Sequence, residues 1–402
     1  MRRTVAVPAG AATLALVAAA CALAWRSGSP LVPRQGGHVA GSAPLFLILL
    51  GLAFAAYLLA LAAIRRAAPS TRAAIALAAA IQLVPLAAPL LLSTDAWTYW
   101  SYGWIASRGD GNPYAEAPQT FPENPALPHM GSAWLDTTSV YGPAFTLVSE
   151  PLAIAAGGSA DAAAWSYKAL AAAAALAAAL LASHLARRRA FAVAVVGWNP
   201  LLAVHLGGGG HNDAWIGALI LAALALSASR RPRFAGVVWV LAITVKWVPL
   251  LFLALAAVEA RALGRTLASR ALVVTAAVAA GVAGVLYGGA WPLAILPLAG
   301  NAALETSYAI PHRLEQLGLP DAVALGLAGA ALLAGLAWLT WEASRGRARL
   351  ALAACLVLVT TPYLAVWYLA WAVPLAAAEE DAVATGACLV LCAYLLPQAV
   401  PV

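Results

Sequence analysis

The sequence predicts an all-α polytopic membrane protein of about twelve transmembrane or membrane-embedded helices, arranged as one domain over residues 1–402. Hydrophobic residues make up 63% of the chain and charged residues 10%, which leaves too little polar surface for a soluble protein of this length. The mean hydropathy of +0.85 agrees with this interpretation. Lipid is therefore expected to be the solvent of most exposed side chains.

Each predicted helix is an apolar window of roughly 20 residues, some shorter and some longer, bounded by polar, glycine or proline residues. The alanine-rich windows are typical of close helix packing in lipid, where small residues let backbones approach. The first window follows MRRT and is interpreted as a retained helix, because further spans follow it at once. The predicted helices cover residues 5–24, 42–64, 72–93, 143–157, 162–186, 190–206, 212–229, 234–258, 271–290, 321–343, 350–370 and 383–402.

Short arginine-rich links between these windows predict the orientation of the chain, because basic links stay in the cytoplasm. The net charge of +7 is explained by such links, so no nucleic-acid partner is expected. If all twelve windows cross the membrane, the polar links 94–142 and 291–320 lie outside the cytoplasm. The basic links 65–72, 259–270 and 345–349 then lie inside.

The same count leaves two basic links, Arg187–Arg189 and Arg230–Arg233, outside the cytoplasm and against the rule. Omitting window 143–157 would correct both, but it would move link 291–320 to the cytoplasm. We keep twelve helices and expect the short windows on either side of the glycine run 207–210 to stop within the membrane beside a protein-lined cavity.

The link 94–142 opens with TDAWTYWSYGW, in which Asp95 follows an apolar window directly. A helix through this motif would place Asp95, Tyr99 and Tyr102 on one face. Asp95 is then a candidate general base at the membrane surface, where partial desolvation is expected to raise its pKa. The alternative is a helix cap with an aromatic belt beside it.

Two turn motifs follow in the same link, GDGNPY with Asn112 and Tyr114, and SVYGP with Tyr141. Glycine and proline fix a loop without regular structure, and tyrosines offer both a ring and a hydroxyl to a sugar. These three residues are candidate substrate contacts. As separate motifs they are explained equally well by turn formation alone.

The tract GGGGHND places His211, Asn212 and Asp213 in consecutive positions beside a glycine-rich break. Polar groups at this depth are costly in a membrane, which favours a functional role as substrate contacts over a simple helix cap. Only His205 is nearby as a further ligand, so no metal is expected. Lys246, inside the apolar run LAITVKWVPLLFL, needs either Asp213 or a ligand phosphate as counter-ion.

Two further segments carry candidate residues. In link 291–320, Arg313 could clamp a phosphate and His312 could act as an acid, a base or a hydrogen-bond donor, although such residues often only solvate a loop. In TTPYLAVWYLAWAVPL, Tyr363, Trp367 and Tyr368 could stack on a sugar or an isoprenoid chain, or form an interfacial belt.

Taken in order, these motifs resemble the GT-C glycosyltransferases. An acid follows an early span, NPY and YGP lie in the same loop, GHND follows WNPL, and VKWVP and PYLAVWYLAW come later. The likeness is greatest to actinobacterial polyprenol-phosphate-mannose-dependent α-mannosyltransferases that elongate lipomannan-type glycolipids, and it covers roughly Ser93 to Pro374.

The resemblance implies an extracytoplasmic active site in a multi-pass cell-membrane protein. It also implies a metal-independent, inverting transfer without a cofactor, in which the acid of the first long loop, by position Asp95, is the base. Some relatives of the wider fold carry a paired DxD motif, whereas Trp97 stands at the second place here. This difference argues further against a metal.

The residues agree with a lipid-linked donor, because the chain has neither a nucleotide-binding domain nor a glycine-rich phosphate loop before a helix. The predicted function is transfer of a sugar, mannose by resemblance, from a polyprenyl phosphate to a glycolipid or cell-envelope polysaccharide. Two alternatives remain. One is a flippase or transporter of lipid-linked sugars, which would favour internal repeats, and the other is a non-catalytic subunit of an envelope-assembly complex.

Overall fold

A computed structural model describes residues 5–33, 43–229, 231–265, 267, 269–295 and 306–399, and every regular element in those residues is helical. The α-helices are α1 (Ala6–Ala22), α2 (Ala43–Arg66), α3 (Thr71–Leu83), α4 (Asp95–Ala106), α5 (Pro143–Ala156), α6 (Ala160–Leu185), α7 (Arg189–Gly197), α8 (Pro200–Leu202), α9 (Asp213–Ala228), α10 (Pro232–Val245), α11 (Pro249–Ala262), α12 (Ser269–Tyr287), α13 (Ile310–Gln316), α14 (Asp321–Ser344), α15 (Leu350–Thr360), α16 (Leu369–Glu379) and α17 (Ala382–Leu395).

Five helices of the described part are long and apolar enough to cross a membrane: α1 with the 3-10 turn that follows it, α2, α6, α12 and α14. A sixth span would combine α7 with α8, which are bent by 45°. Outward apolar side chains such as Leu59, Val285 and Leu333 are 56%, 86% and 71% exposed, as expected of surfaces that face lipid. The all-helical membrane class is confirmed, whereas twelve crossing helices are not.

Three predicted spans are broken helices. The span 72–93 ends its α-helix at Leu83, because Pro85 and Pro89 interrupt the segment that follows. The span 234–258 is divided between α10 and α11, and 350–370 is divided between α15 and α16. Hydrophobic windows do not detect such breaks, because the residues on both sides of a break are equally apolar.

The basic links lie together at one end of the molecule, here called the basic end. Arg187 pairs with Glu380 at 3.1 Å, and the neighbouring Asp381 pairs with Arg349 at 2.7 Å. Arg65 lines the same cleft as Arg187. The expectation that the link after α6 lies on the opposite side from the other basic links is therefore wrong.

Helix α11 returns to the basic end. The last turn of α9 and the last turn of α11 line one cavity, so α10 and α11 form a hairpin with its turn at residues 246–248. The link Arg230–Arg233, of which Arg230 lies outside the described residues, therefore also begins α10 at the basic end, and its predicted outside position is wrong. Helix α5 has only 14 residues and need not cross, which allows link 291–320 to remain at the opposite end.

The described parts of the two polar links meet at that opposite end, where Tyr114 of the first and Ala294 of the second belong to one buried cluster. Asn112 donates a hydrogen bond of 2.8 Å to the carbonyl of Tyr287, where α12 ends. The ring of Trp291 stacks on Trp247 at 6.3 Å, and the backbone of Thr306 contacts that of Pro362. Residues 296–305 lie outside the described part.

Helix α4 lies inside this polar end rather than on its surface. Most of its residues are buried, including Trp100, Tyr99 and Tyr102. It packs tightly on α5, because Gly103 has no side chain where a Cβ would collide with the carbonyl of Ser149. The predicted helix through TDAWTYWSYGW is thus confirmed, and it brings Asp95 to the interior of the bundle.

Candidate active site

Asp95 is the first residue of α4, and an irregular segment before it sets its position. Lys168 of α6 donates hydrogen bonds to the carbonyls of Ala88 and Pro89, two groups left without helical partners by the proline break. Leu92 then adopts a left-handed conformation with φ of 66°. The sequence analysis missed Lys168. The available signal was that Lys168 is one of only two lysines in the chain and lies within an alanine-rich window.

The carboxylate of Asp95 faces the imidazole of His211. Asp95 Oδ2 lies 3.1 Å from His211 Nδ1, and the histidine is fully buried. The imidazole is held by the ring of Trp367, which stacks on it at 3.7 Å with an interplanar angle of 10°. Tyr99 completes the group by donating a long hydrogen bond of 3.4 Å to Asp95 Oδ2.

The glycine run brings His211 to this point. Residues Ala203–Gly208 form a π-helix, a form found often at functional sites. Gly210 follows with φ of 75°, which a residue with a side chain adopts only at a cost, and it redirects the chain toward α4. The predicted interruption at this position is confirmed as a local break between α8 and α9.

Asp213 lies beside this group as the partner of Lys246. Its Oδ1 atom accepts hydrogen bonds from Lys246 Nζ at 2.7 Å and from Trp371 Nε1 at 2.8 Å. The side chain of Asp213 is 1% exposed, and that of Lys246 is 13% exposed. Of the two counter-ions considered for Lys246, Asp213 is therefore present in the fold, and the lysine side chain remains partly exposed.

Aromatic rings wall the site. The ring of Tyr99 meets Tyr141 edge-on at 5.0 Å, and Tyr141 lies 6.2 Å from Tyr102. On the other side, Tyr368 stacks on Trp371 at 4.2 Å. The ammonium of Lys246 lies over both of these rings, at 4.9 and 5.4 Å from their centroids.

Two further predicted residues, Asn212 and Tyr363, lie next to the tyrosines of the site. Asn212 Oδ1 accepts a long hydrogen bond of 3.5 Å from the hydroxyl of Tyr99. Tyr363 lies 6.2 Å from Tyr368 between ring centroids. The structure thus assembles most of the residues that the sequence predicted for the site, from five separate segments of the chain.

Other predicted residues lie in separate groups. Asn112 contacts the end of α12, and the hydroxyl of Tyr114 lies 2.7 Å from Thr146 Oγ1. The guanidinium group of Arg313 donates a hydrogen bond of 2.6 Å to Gln316 and lies over the ring of Tyr308. Both partners belong to the same segment of the chain as Arg313.

The histidine beside Arg313, His312, also has a local partner, since its Nδ1 atom lies 3.1 Å from Glu315 Oε2. Among the described residues, Arg313 makes no contact with Lys246.

His205 is a functional candidate that the sequence analysis considered only as a metal ligand. Its ring is buried 6.4 Å from that of His211, and neither of its nitrogens has a hydrogen-bond partner among the described residues. The signal was a histidine inside an otherwise apolar window. No three His, Cys, Asp or Glu side chains of the described part come together as a metal site, and the metal-free mechanism stays a prediction.

The electrostatics of the site keep Asp95 ionised. Burial by itself would raise the pKa of Asp95, but the contact with His211 and the charge of Lys246 outweigh it, and the pKa lies below its usual value. The expectation of a raised pKa is therefore wrong, because it counted desolvation without these partners. Burial raises the pKa of Tyr99 and Tyr102 well above the usual value, so both hydroxyls remain hydrogen-bond donors.

Comparison with known proteins identifies two overlapping similarities. Residues 4–263 match the family profile described as "Alpha-(1->6)-mannopyranosyltransferase, N-terminal domain", and residues 140–397 match that of glycosyltransferase family 87. A curated protein of Mycobacterium tuberculosis, alpha-(1->6)-mannopyranosyltransferase A, is 35% identical over 168 residues. That alignment covers 40% of this chain and 32% of the relative, so it spans about a third of the relative's length. No solved structure matches the chain significantly.

Proposed function

Because the chain belongs to the alpha-(1->6)-mannopyranosyltransferase family and to glycosyltransferase family 87, we propose that it transfers mannose from a polyprenyl-phosphate donor. The acceptor is a glycolipid or a cell-envelope polysaccharide. The observation that carries the proposal is the 3.1 Å contact between Asp95 and the buried His211, which holds an ionised carboxylate among aromatic rings, with the cation Lys246 nearby. A base with a cation nearby is what glycosyl transfer from a phosphate requires.

Asp95 is the general base in this proposal. An acceptor hydroxyl attacks the anomeric carbon and gives its proton to Asp95 Oδ, while the new glycosidic bond forms. The bond from that carbon to the phosphate oxygen breaks, and its electron pair leaves with the phosphate. His211 is a positioning residue that keeps the carboxylate ionised and oriented, and Trp367 fixes its ring.

Lys246 supplies the positive charge that stabilises the leaving phosphate, and its ammonium contacts both Asp213 and the ring of Tyr368. Arg313 is proposed as a second phosphate contact from the other polar link, with His312 beside it. Sugar and lipid contacts are assigned to tyrosine rings, Trp367 and the GHND residues, because flat rings stack on the apolar faces of sugars. The tyrosines are Tyr99, Tyr102, Tyr141, Tyr363 and Tyr368; Asn112 and Tyr114 support the loop at α12.

We further propose that the polar end faces outside the cytoplasm of a multi-pass cell-membrane protein. The basic links gather at the opposite end, as the positive-inside rule requires of a cytoplasmic surface. A lipid-linked sugar presented on the outer leaflet would then reach Asp95 laterally through the membrane.

The donor assignment can be tested with purified protein in nanodiscs. With an alkyl α-mannoside acceptor, we expect transfer from polyprenyl-phosphate [¹⁴C]mannose and none from GDP-[¹⁴C]mannose, because the described residues include no nucleotide-binding domain. Product that forms only from the nucleotide sugar would refute the donor assignment. In proteoliposomes, movement of the labelled lipid between leaflets without a glycoside product would favour the flippase alternative instead.

The role of His211 predicts a change in the pH profile. His211 stabilises the charged form of Asp95, so the pKa of Asp95 should rise when the imidazole is removed. Activity needs the ionised base and is lost as pH falls through that pKa. His211→Gln should therefore move the acid limb of the kcat/KM profile to higher pH, whereas His129→Gln, at a histidine outside the site, should leave it in place. An unchanged or lower acid limb in His211→Gln would contradict the positioning role.

Topology can be tested with single cysteines in a background without the four native thiols. Ser132 and Leu317 are exposed at the polar end and Ser344 at the basic end; Asn301 lies outside the described residues. Ser132→Cys and Leu317→Cys should both react with a membrane-impermeant thiol reagent on intact cells. Ser344→Cys should react only after permeabilisation. Labelling of Leu317→Cys only from inside would exclude a shared site for the two polar links.

A further inference from the structure

A cleft of about 520 Å³ lies at the basic end, between the link from α2 to α3 and the link from α6 to α7. These links are more than 100 residues apart in the chain, yet both turn their arginines toward one concave surface. Its basic lining residues are Arg65, Arg66, Arg187, Arg188 and Arg189. The positive-inside rule explains why these arginines lie at this end but not why they line one cleft.

The cleft has an excess of positive charge. Of its arginines, Arg187 has a carboxylate partner, Glu380, whose other oxygen accepts from the backbone N–H of Arg188. The guanidinium groups of Arg66, Arg188 and Arg189 have no carboxylate partner in the part of the chain that the structure describes. Helix α7 begins here, and Glu380 accepts hydrogen bonds from the backbone N–H groups of Arg187 and Arg188 at its start. The excess positive charge therefore comes from the arginine side chains.

We propose that this cleft binds the phosphate-bearing headgroup of an anionic membrane phospholipid. The planar guanidinium group of arginine pairs with phosphate oxygens through two parallel hydrogen bonds. Several guanidinium groups without a carboxylate partner in one cleft therefore form a suitable site for a phosphate. Basic pockets between helices at a cytoplasmic surface recognise anionic lipid headgroups in this way.

The surroundings favour a lipid over a soluble phosphate. Both walls of the cleft continue into candidate spans, α2 and α6, which end at its arginines. Leu59 and Leu180, one to two turns before those ends, are 56% and 47% exposed and offer an apolar path for acyl chains. Arg65 lies over the ring of Phe191 at 5.2 Å, which places a charged group and an apolar surface side by side.

The cleft is separate from the proposed active site. Helix α6 starts at Ala160, whose carbonyl accepts a hydrogen bond from Trp97 of α4, and after 26 residues it ends beside the arginines. At 1.5 Å per residue the helix is about 39 Å long. A lipid bound at its far end therefore occupies the opposite leaflet from a donor that reaches Asp95.

Lipid binding can be measured by native mass spectrometry of the purified full chain titrated with phosphatidylglycerol, with phosphatidylcholine as the neutral comparison. The test variant combines Arg66→Gln, Arg188→Gln and Arg189→Gln. The matched control combines Arg231→Gln, Arg233→Gln and Arg345→Gln, which remove the same charge at the same end but outside the cleft. We expect the test variant to bind phosphatidylglycerol at least tenfold more weakly than the wild type, and the control to stay within about twofold.

The outcomes separate the possible explanations. Equal weakening in both variants would show unspecific attraction to a basic surface and would overturn the site. Equal affinity of the wild type for phosphatidylglycerol and phosphatidylcholine would overturn the phosphate assignment. Competition by glycerol 3-phosphate at the lipid's own concentration would assign the cleft to a soluble phosphate and overturn the lipid source. Gel filtration of each variant checks folding, which exposed glutamines should not disturb.

Discussion

Replacing Asp95 by asparagine should lower sugar transfer by about 10²- to 10⁴-fold, the usual cost of losing one well-placed base. Asparagine has nearly the same shape, so it should keep the contact with Tyr99 and leave the fold intact. It cannot accept the acceptor's proton at neutral pH. The measurement is single-turnover transfer from polyprenyl-phosphate mannose by purified protein.

The same link supplies a control for this variant. Asp110 carries a carboxylate whose side chain is 84% exposed beside Arg108, away from the buried group. Asp110→Asn should therefore retain transfer close to that of the wild type. Near-normal turnover by Asp95→Asn would remove Asp95 from the role of base, and Asp213 would be the next acid to examine.

The buried pair of Asp213 and Lys246 predicts the second large effect. Lys246→Met leaves the charge of Asp213 buried with one remaining donor, Trp371, and removal of one partner from such a pair costs about 3–5 kcal/mol of stability. Asp213→Asn leaves the ammonium without its counter-ion and should cost a similar amount. Thermal unfolding in one detergent should show both losses.

Combining the two changes separates structure from phosphate binding. In the double variant Lys246→Met with Asp213→Asn no charge is left unpaired, so most of the lost stability should return. If Lys246 also holds the donor phosphate, the KM for the donor should stay raised. Recovery of stability and activity together would restrict Lys246 to a structural role. Lys168→Met, at the other buried lysine, should lower stability without changing the donor KM selectively.

The fold was predictable where one long apolar window of the sequence forms one uninterrupted helix. Helices α2, α6 and α14 agree with their predicted windows within two residues at each end, because long apolar runs have few other structures in lipid. The hairpin at Lys246 was not predictable from hydropathy, since its two helices are continuous in apolar character. Pro249 at the first turn of α11 was the local signal for that break.

The site was predictable as a set of residues but not as a set of contacts. Polar groups in apolar surroundings identified Asp95, His211, Asp213 and Lys246, because such groups are costly in membranes. That Asp95 meets His211, and Lys246 meets Asp213, depends on the packing of α4, α9 and the hairpin turn. The direction of the pKa of Asp95 depends on the same contacts, so the sequence could not determine it.

The hairpin of α10 and α11 also bears on how the chain enters the membrane during synthesis. Each helix has 14 residues, about 21 Å at 1.5 Å per residue, which is shorter than a hydrocarbon core of about 30 Å. Neither can insert alone as a complete span, so we infer that the two enter together with Lys246 at their tip. Asp213 is made 33 residues earlier. In translation order the acid therefore precedes the ammonium, so the counter-ion of Lys246 is already in the chain when the hairpin is made.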